Sequence, residues 1–175
     1  MTSFIDTHCH LDKLDTTPKV AVEEAKDAGV NSIITISVDV TSLDFVSESI
    51  NEHPEVYGSA GFHPHEAKNL NKSALKKIRQ IAQEEVKLIA IGEIGLDYHY
   101  LLSPAEIQKD VFRMQIKIAA ELNLPIIMHT REAEKDTLEI LEEVPLECHG
   151  VAHSFTGSFE MASELVGMGW YLGCL

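Results

Sequence analysis

The sequence has few cysteines and no apolar run long enough to span a membrane. Three cysteines in 175 residues, an odd number, argue against a disulfide scaffold and favour a reducing environment. No run approaches the roughly 20 apolar residues that cross a bilayer, and residues 1–6 lack the basic and apolar segments of a secretory signal. We therefore predict a cytoplasmic protein without a membrane span.

Basic residues are also scarce. Fourteen lysines and arginines against 28 aspartates and glutamates give a net charge of −14 at pH 7. Such a surface repels nucleic acid at long range, so a polyanion would need a local cationic site. Charged residues make up 24% of the chain and apolar residues 45%, which argues against disorder and suffices for one core. Because no low-complexity tract or linker divides the chain, we predict a single domain over residues 1–175.

Short apolar runs alternate with amphipathic patterns along the chain. The runs are mostly continuously apolar, as in strands buried on both faces of a parallel sheet. Helical spacing marks the segments between them, such as Val22, Ala25 and Ala28, with Gly29 as a C-terminal cap. This alternation predicts an α/β fold. The predicted strands are residues 4–8, 32–37, 56–61, 88–92, 125–129, 150–153 and 170–173.

The longest predicted helix opens at residue 103. We expect Ser103 as its N-cap, Pro104 in the first turn and Glu106 at the capping-box position. A later helix through Leu141 is expected to end at Pro145. The predicted buried stripe of the longest helix is Ile107, Val111, Met114, Ile118 and Leu122.

The strand count favours a barrel over a doubly wound sheet. Seven strands exceed the usual five of a flavodoxin-like sheet, and no Gly-rich phosphate loop follows the first strand. An eight-fold β/α barrel takes about 250 residues. We predict a TIM-barrel-like (β/α) parallel sheet of about seven strands that lacks the eighth βα unit. A complete open sheet is the alternative.

Four histidines and a glutamate stand at the ends of predicted strands, where barrel enzymes build their sites. His8 and His10, two apart on an extended segment, point to the same side and can reach one ion. Glu93 follows the fourth strand, and His129 and His153 end the fifth and sixth. Neutral imidazoles with a carboxylate suit a borderline divalent cation, and the number of ligands suits two ions better than one.

The neighbours of these residues indicate how they are held. Gly92 and Gly95 predict a tightly turned backbone around Glu93 rather than an exposed loop acid. Cys9 lies between two histidines, but its side chain should point to the opposite face of the strand. We therefore expect Cys9 to pack rather than to bind.

Five segments carry a specific pattern that covers essentially the whole chain. They read DTHCHLD at 6–12, GFHPH at 61–65, GEIGLDY at 92–98, MHTR at 128–131 and AHSFTG at 152–157. Together they resemble the TatD family of metal-dependent deoxyribonucleases, within the amidohydrolase-like barrels. The resemblance implies a β/α-barrel hydrolase that cleaves phosphodiester bonds in DNA, often as a 3′-to-5′ exonuclease on single strands.

The resemblance also implies two divalent ions, which the residue types leave open as magnesium, manganese or zinc. It makes His8 and His10 ligands of one ion and Glu93 both the bridge and the catalytic residue. His129 and His153 would hold the second ion. Two cations can polarise a phosphate, and they would give an acidic protein a local positive potential.

Residues farther from the ions are implied to contact substrate. The histidine matching His63 lies near the substrate phosphate in the family, and Arg131 is placed to donate to a phosphate oxygen. Tyr98 could stack on a base or pack over the mouth of the site. Weaker candidates are His65, Asp97 and Ser154.

The sequence departs from the family pattern at strand eight. Family members place an aspartate there, whereas no acidic residue follows Glu164. A truncated product, a part supplied by another chain and a degenerate member with poor turnover are three explanations, of which we favour the first. An open sheet edge would also allow self-association.

Two other functions stay open. The first keeps the metals and changes the substrate to a small amide, ester or lactone. The second is a metal-binding module without catalysis.

Overall fold

All seven strands of the sheet are parallel, and each one pairs with the next in sequence, from β1 to β7. The computed structural model describes residues 3–144, 146–147 and 149–174. Neighbour-to-neighbour order is that of a β/α barrel and not of a doubly wound sheet, in which the order reverses. The predicted TIM-barrel-like fold class is therefore confirmed. The strands are β1 Phe4–Cys9, β2 Val30–Ile36, β3 Val56–Ala60, β4 Leu88–Asp97, β5 Ile126–Arg131, β6 Val151–Ala152 and β7 Tyr171–Leu172.

Helices follow the strands, and four of the six described α-helices (α1, α2, α3 and α6) begin at a polar N-cap. Asp39, for example, accepts a 2.7 Å hydrogen bond from the Ser42 N–H at the start of α2. No helix in the described ranges is long and apolar enough to cross a membrane. The predicted helix end at Pro145 lies outside the described residues. The helices are α1 Pro18–Asp27, α2 Val40–Glu52, α3 Lys72–Glu84, α4 Ala105–Leu122, α5 Glu134–Glu143 and α6 Phe159–Gly167, with 3-10 turns at Leu11–Lys13 and Pro64–Asn69.

Of two predicted helix caps, the C-terminal cap of α1 is confirmed and the N-cap of α4 is wrong. Gly29 follows the last turn of α1 with a φ of +91°, and its N–H donates to the Lys26 carbonyl, so the predicted cap is confirmed. The predicted N-cap Ser103 is wrong. Helix α4 is preceded directly by Pro104, and the Ser103 hydroxyl instead donates to the His65 carbonyl at 2.8 Å. Ser103 thus ties α4 to the turn after β3.

The buried face of α4 differs from the predicted stripe. Ile107 and Met114 are 39% and 47% exposed, so the prediction that they are buried is wrong. Gln108 and Gln115, one residue further along, are completely buried instead. An amide is buried at low cost only where its polar atoms find partners. Gln108 binds the main chain of Asp97 at the end of β4, and Gln115 binds that of Phe62, just after β3.

Apolar packing joins the helices to one face of the sheet. A large cluster runs from Val22 in α1 to Leu165 in α6 and includes alternate strand residues such as Ile91 and Ile126. The opposite face carries a small cluster of Ile36, Ala90 and Ile127. The helices therefore cover one side, and the carboxyl ends of the strands are left to carry polar residues.

Candidate metal centre

Strand β4 carries Glu93 and is longer than the sequence predicted. It continues to Asp97, and its pairing with β5 shifts register between Gly92 and Ile94. The predicted tight turn is wrong. Gly95 has a φ of +144° and lies opposite His129, where a Cβ would collide with the His129 carbonyl oxygen. Gly95 therefore permits a close approach of two strands inside the sheet.

The Glu93 carboxylate lies between histidines on both sides. Its Oε2 is 3.4 Å from His8 Nε2, and its Oε1 is 3.1 Å from His129 Nδ1. Oε1 is also 4.0 Å from His63 Nε2. Glu93 is only 4% exposed, and each oxygen faces a different set of imidazoles. This is the arrangement in which one carboxylate can serve two ion positions.

Two groups of ligand atoms share Glu93. His8, His10 and Glu93 form one group, and His63, Glu93 and His129 form the other; within each, the ligand atoms lie within 4.8 Å of one another. Four of the five predicted ligands are thus brought together by β1, β4 and β5. His63 lies in the second group, although the family resemblance implied a position near the substrate phosphate.

His153, the fifth predicted ligand, lies elsewhere in the centre. Its ring stacks on that of His8, with centroids 3.3 Å apart and planes 7° apart. It is in neither of the two groups found among the described residues. Its role as a ligand stays a prediction.

Unused nitrogen atoms show that these residues fit a metal ion. Both ring nitrogens of His8 and the Nδ1 of His10 are buried without a hydrogen-bond partner in the part of the chain described. Buried polar atoms are normally satisfied, so such orphans need an explanation. Imidazole lone pairs beside an ionised carboxylate are ligands that divalent transition metals and zinc prefer. A metal ion would satisfy them.

The protonation states also suit a cation. Burial works against the ionised form of Glu93, but the hydrogen bond with His129 and the nearby His8 ring outweigh it and hold the Glu93 pKa well below its usual value. Burial lowers the pKa of His63 to about 3 and also lowers that of His153. At neutral pH the centre therefore combines an anionic Glu93 with neutral rings at His63 and His153. Burial disfavours the charged form of His129, but hydrogen bonds with Glu93 and Asp97 outweigh it and raise the pKa of that ring.

Two cavities open on either side of the centre. One of about 520 Å³ is lined by His129, Arg131 and His153. The other, of about 430 Å³, is lined by His10, Lys13 and His63. Each cavity thus has one basic side chain beside histidines of the centre, together with acidic residues: Glu132 and Glu134 in the larger, and Asp39 and Glu66 in the smaller.

Arg131, which lines the larger cavity, contacts an aromatic ring. Its guanidinium lies 5.0 Å from the centre of the Tyr100 ring, and it forms no ion pair among the described residues. The hydroxyl of Tyr98 instead donates to Asp136 at 2.6 Å. Tyr100, 53% exposed, is therefore the tyrosine in contact with Arg131, and no pattern in the sequence identified it.

Three residues with weak or no signal in the sequence support the centre. Asp97 is completely buried beside His129, with its Oδ2 3.0 Å from His129 Nε2. Gln108 and Gln115 bind the backbone of Asp97 and of Phe62, the residue before His63. A polar pair seven residues apart on an otherwise apolar helix face was the signal that could have identified these glutamines.

Comparisons with known proteins point to one family. The family model described as TatD-related DNase matches residues 5–175. An uncharacterized metal-dependent hydrolase from Bacillus subtilis is 42% identical over 170 residues, covering 95% of this chain and 66% of that protein. A Shigella flexneri protein named 3′-5′ ssDNA/RNA exonuclease TatD is 33% identical over 153 residues, covering 87% of this chain and 58% of its own.

A solved structure agrees with the sequence matches. The crystal structure of a TatD homologue from Escherichia coli superposes with a TM-score of 0.88 at 28% identity, covering 97% of this chain and 66% of that one. The chain thus spans about two thirds of the length of the relatives that it matches.

Proposed function

The chain belongs to the family of TatD-related DNases, and on that premise we propose that it acts as a divalent-metal-dependent hydrolase of phosphodiester bonds in DNA. The observation that carries the proposal is the Glu93 carboxylate, which presents one oxygen to each of two histidine groups. A centre of this kind suits the hydrolysis of an anionic ester.

We assign the metal ligands from the side chains around Glu93. His8, His10 and Glu93 would hold one ion, and Glu93 with His129 would hold a second, completed by His63 or His153. When bound, two divalent cations polarise a phosphoryl oxygen and stabilise the leaving oxygen. The ions are proposed to be magnesium, manganese or zinc: the imidazoles suit zinc, and the Glu93 carboxylate also suits magnesium and manganese.

Arg131 and the neighbouring aromatic rings would bind the substrate. An arginine without a carboxylate partner can donate two hydrogen bonds to a phosphate, and Arg131 lines the cavity beside His129. Tyr100 is placed to stack on a base, which needs no sequence preference and favours single strands; Tyr98 stays a predicted contact. The 3′-to-5′ direction is proposed from the family resemblance and from the name of the Shigella relative.

The test is nucleotide release from a 5′-labelled single-stranded oligonucleotide with magnesium or manganese. We expect shortening from the 3′ end, and we expect His129→Ala to abolish it because that side chain lies 3.1 Å from Glu93. The matched control is His53→Ala, since His53 follows α2 and belongs to neither ligand group. The control should keep the activity of the unaltered chain.

Other outcomes would overturn the proposal. Activity that survives both His129→Ala and a chelator would exclude the metal centre as its source. Faster turnover of neutral esters than of DNA would replace the phosphodiester substrate by a small ester. Bound metal without any turnover would make the chain a metal-binding module.

Further proposals concern the surroundings of the protein. Strands β1 and β7 each have an edge with no strand paired to it among the described residues, so we propose that the chain can self-associate. Light scattering that finds only monomers over a range of concentrations would contradict this.

The free thiols of Cys9 and Cys174 fit a cytoplasmic protein, and the chain is proposed to act as a single domain.

A further inference from the structure

Asp97 lies on the far side of His129 from Glu93. The two ring nitrogens of His129 face different carboxylates: Nδ1 is 3.1 Å from Glu93 Oε1, and Nε2 is 3.0 Å from Asp97 Oδ2. A histidine that binds a metal through one nitrogen uses the other to donate a hydrogen bond, commonly to a carboxylate. The ring therefore has one nitrogen for the metal centre and one for Asp97.

Asp97 is itself rigidly held. Its Oδ1 accepts a 2.8 Å hydrogen bond from the Tyr100 N–H, and its side chain is completely buried. Gln108 on α4 accepts from the Asp97 N–H at 2.8 Å and donates to the Asp97 carbonyl at 3.0 Å. The same amide donates to the Ser103 carbonyl at 2.8 Å, so Gln108 has partners for both of its polar atoms. Helix α4 thus holds the main chain of Asp97, and the Tyr100 N–H orients its carboxylate.

His129 makes the better-aligned contact with Asp97 Oδ2. His65 Nε2 lies 3.1 Å from that oxygen, but it has no hydrogen bond in the described part of the chain. The contact from His129 Nε2 has hydrogen-bond geometry. Asp97 is in neither ligand group around Glu93, so its carboxylate is left to accept a proton donor.

We propose that Asp97 is a positioning residue that keeps the proton of His129 on Nε2 and so presents Nδ1 to the metal. Gln108 supports this role by holding the main chain of Asp97. The proposal rests on the proposed function only in requiring a metal centre. It does not depend on DNA as the substrate.

Nitrogen NMR of histidine in the zinc-loaded chain tests the assignment of the two nitrogens directly. We expect the His129 Nε2 to carry a proton and the Nδ1 resonance to shift on binding zinc; loss of these signals in His129→Ala identifies them. This measurement needs no Asp97 variant, so it remains decisive if such a variant fails to fold. Zinc on Nε2, or a proton on Nδ1, would overturn the proposal.

Zinc affinity, measured by competition with a chromophoric chelator, tests the role of Asp97. Asp97→Asn keeps the size of the side chain but removes its charge, and we expect affinity to fall by about 10- to 100-fold, the usual effect of losing such a partner. Gln108→Met should weaken binding in the same direction. Asp136→Asn is the matched control, because Asp136 accepts from Tyr98 and lies in neither ligand group.

The outcomes separate this proposal from the proposed function. Wild-type affinity in Asp97→Asn would overturn the positioning role. Zinc on Nδ1 with weakened binding in Asp97→Asn would support it, even if the chain released no nucleotides. Failure of the unaltered chain to bind any divalent metal would overturn both proposals.

Discussion

Gln115 offers the sharpest test of how α4 supports the centre. Its Oε1 accepts from the Phe62 N–H at 2.8 Å, and its Nε2 donates to the Phe62 carbonyl at 3.1 Å. Gln115 is completely buried, and Phe62 is 1% exposed, so water cannot replace these bonds. Gln115→Met keeps an unbranched side chain of similar length but removes the amide that pairs with the Phe62 N–H and carbonyl. Each unsatisfied buried group costs about 1–3 kcal/mol, so the two Phe62 groups predict a loss of about 2–6 kcal/mol in the free energy of unfolding.

Urea unfolding followed by circular dichroism measures this loss. For a chain of this size, each kcal/mol corresponds to roughly 2–4 °C in Tm, so thermal unfolding should also move by several degrees. The matched control is Gln80→Met on α3, because Gln80 is exposed and bonds only to Glu84 on its own helix. It should stay within about 0.5 kcal/mol of the unaltered chain. A Gln115→Met variant as stable as that control would refute the reasoning.

Three further predictions follow from the structure. Asp39→Ala should lower the free energy of unfolding by about 1 kcal/mol, measured by chemical denaturation. Burial opposes ionisation of Asp39, but hydrogen bonds from Ser42 outweigh it and lower its pKa. This stabilisation is therefore present above the unfolded pKa and is lost as pH falls through the folded pKa, and an Asp39→Ala variant that loses as much stability in acid as the unaltered chain would contradict it. Gly95→Ala should lose metal binding in a chelator competition, because the Cβ collides with the His129 backbone; normal affinity would count against the close approach. Burial, with Asp6 and Asp12 nearby, raises the pKa of Cys9 to about 11. Peptide mapping after alkylation at neutral pH should therefore find exposed Cys174 labelled much faster than Cys9, and equal rates would disprove this.

The order of elements could be predicted from local sequence patterns. Continuous apolar runs mark the strands wherever both faces are buried, as at the start of β5, and strands alternating with helices leave few topologies. The end of β4 was missed because Gly92 and Gly95 indicate a turn in isolation. Their close packing against β5 depends on a strand more than thirty residues away.

The centre was partly predictable for a related reason. Neighbouring parallel strands run in one direction, so residues in their carboxyl-terminal halves, such as His8, Glu93 and His129, converge without further information. Whether His63 or His153 joins them depends on side-chain placement that no local pattern encodes. Gln108 was missed because an amide on an apolar helix face shows its partners only after the helix has docked.

If both ligand groups bind a cation, as proposed, the shared Glu93 carboxylate makes the two cation positions depend on each other. Glu93 has one negative charge to divide, so whichever ion arrives first leaves less charge for the second and also repels it. Loading should therefore proceed in two separate stages of decreasing affinity. A substitution that perturbs either position is transmitted through Glu93 to its neighbour.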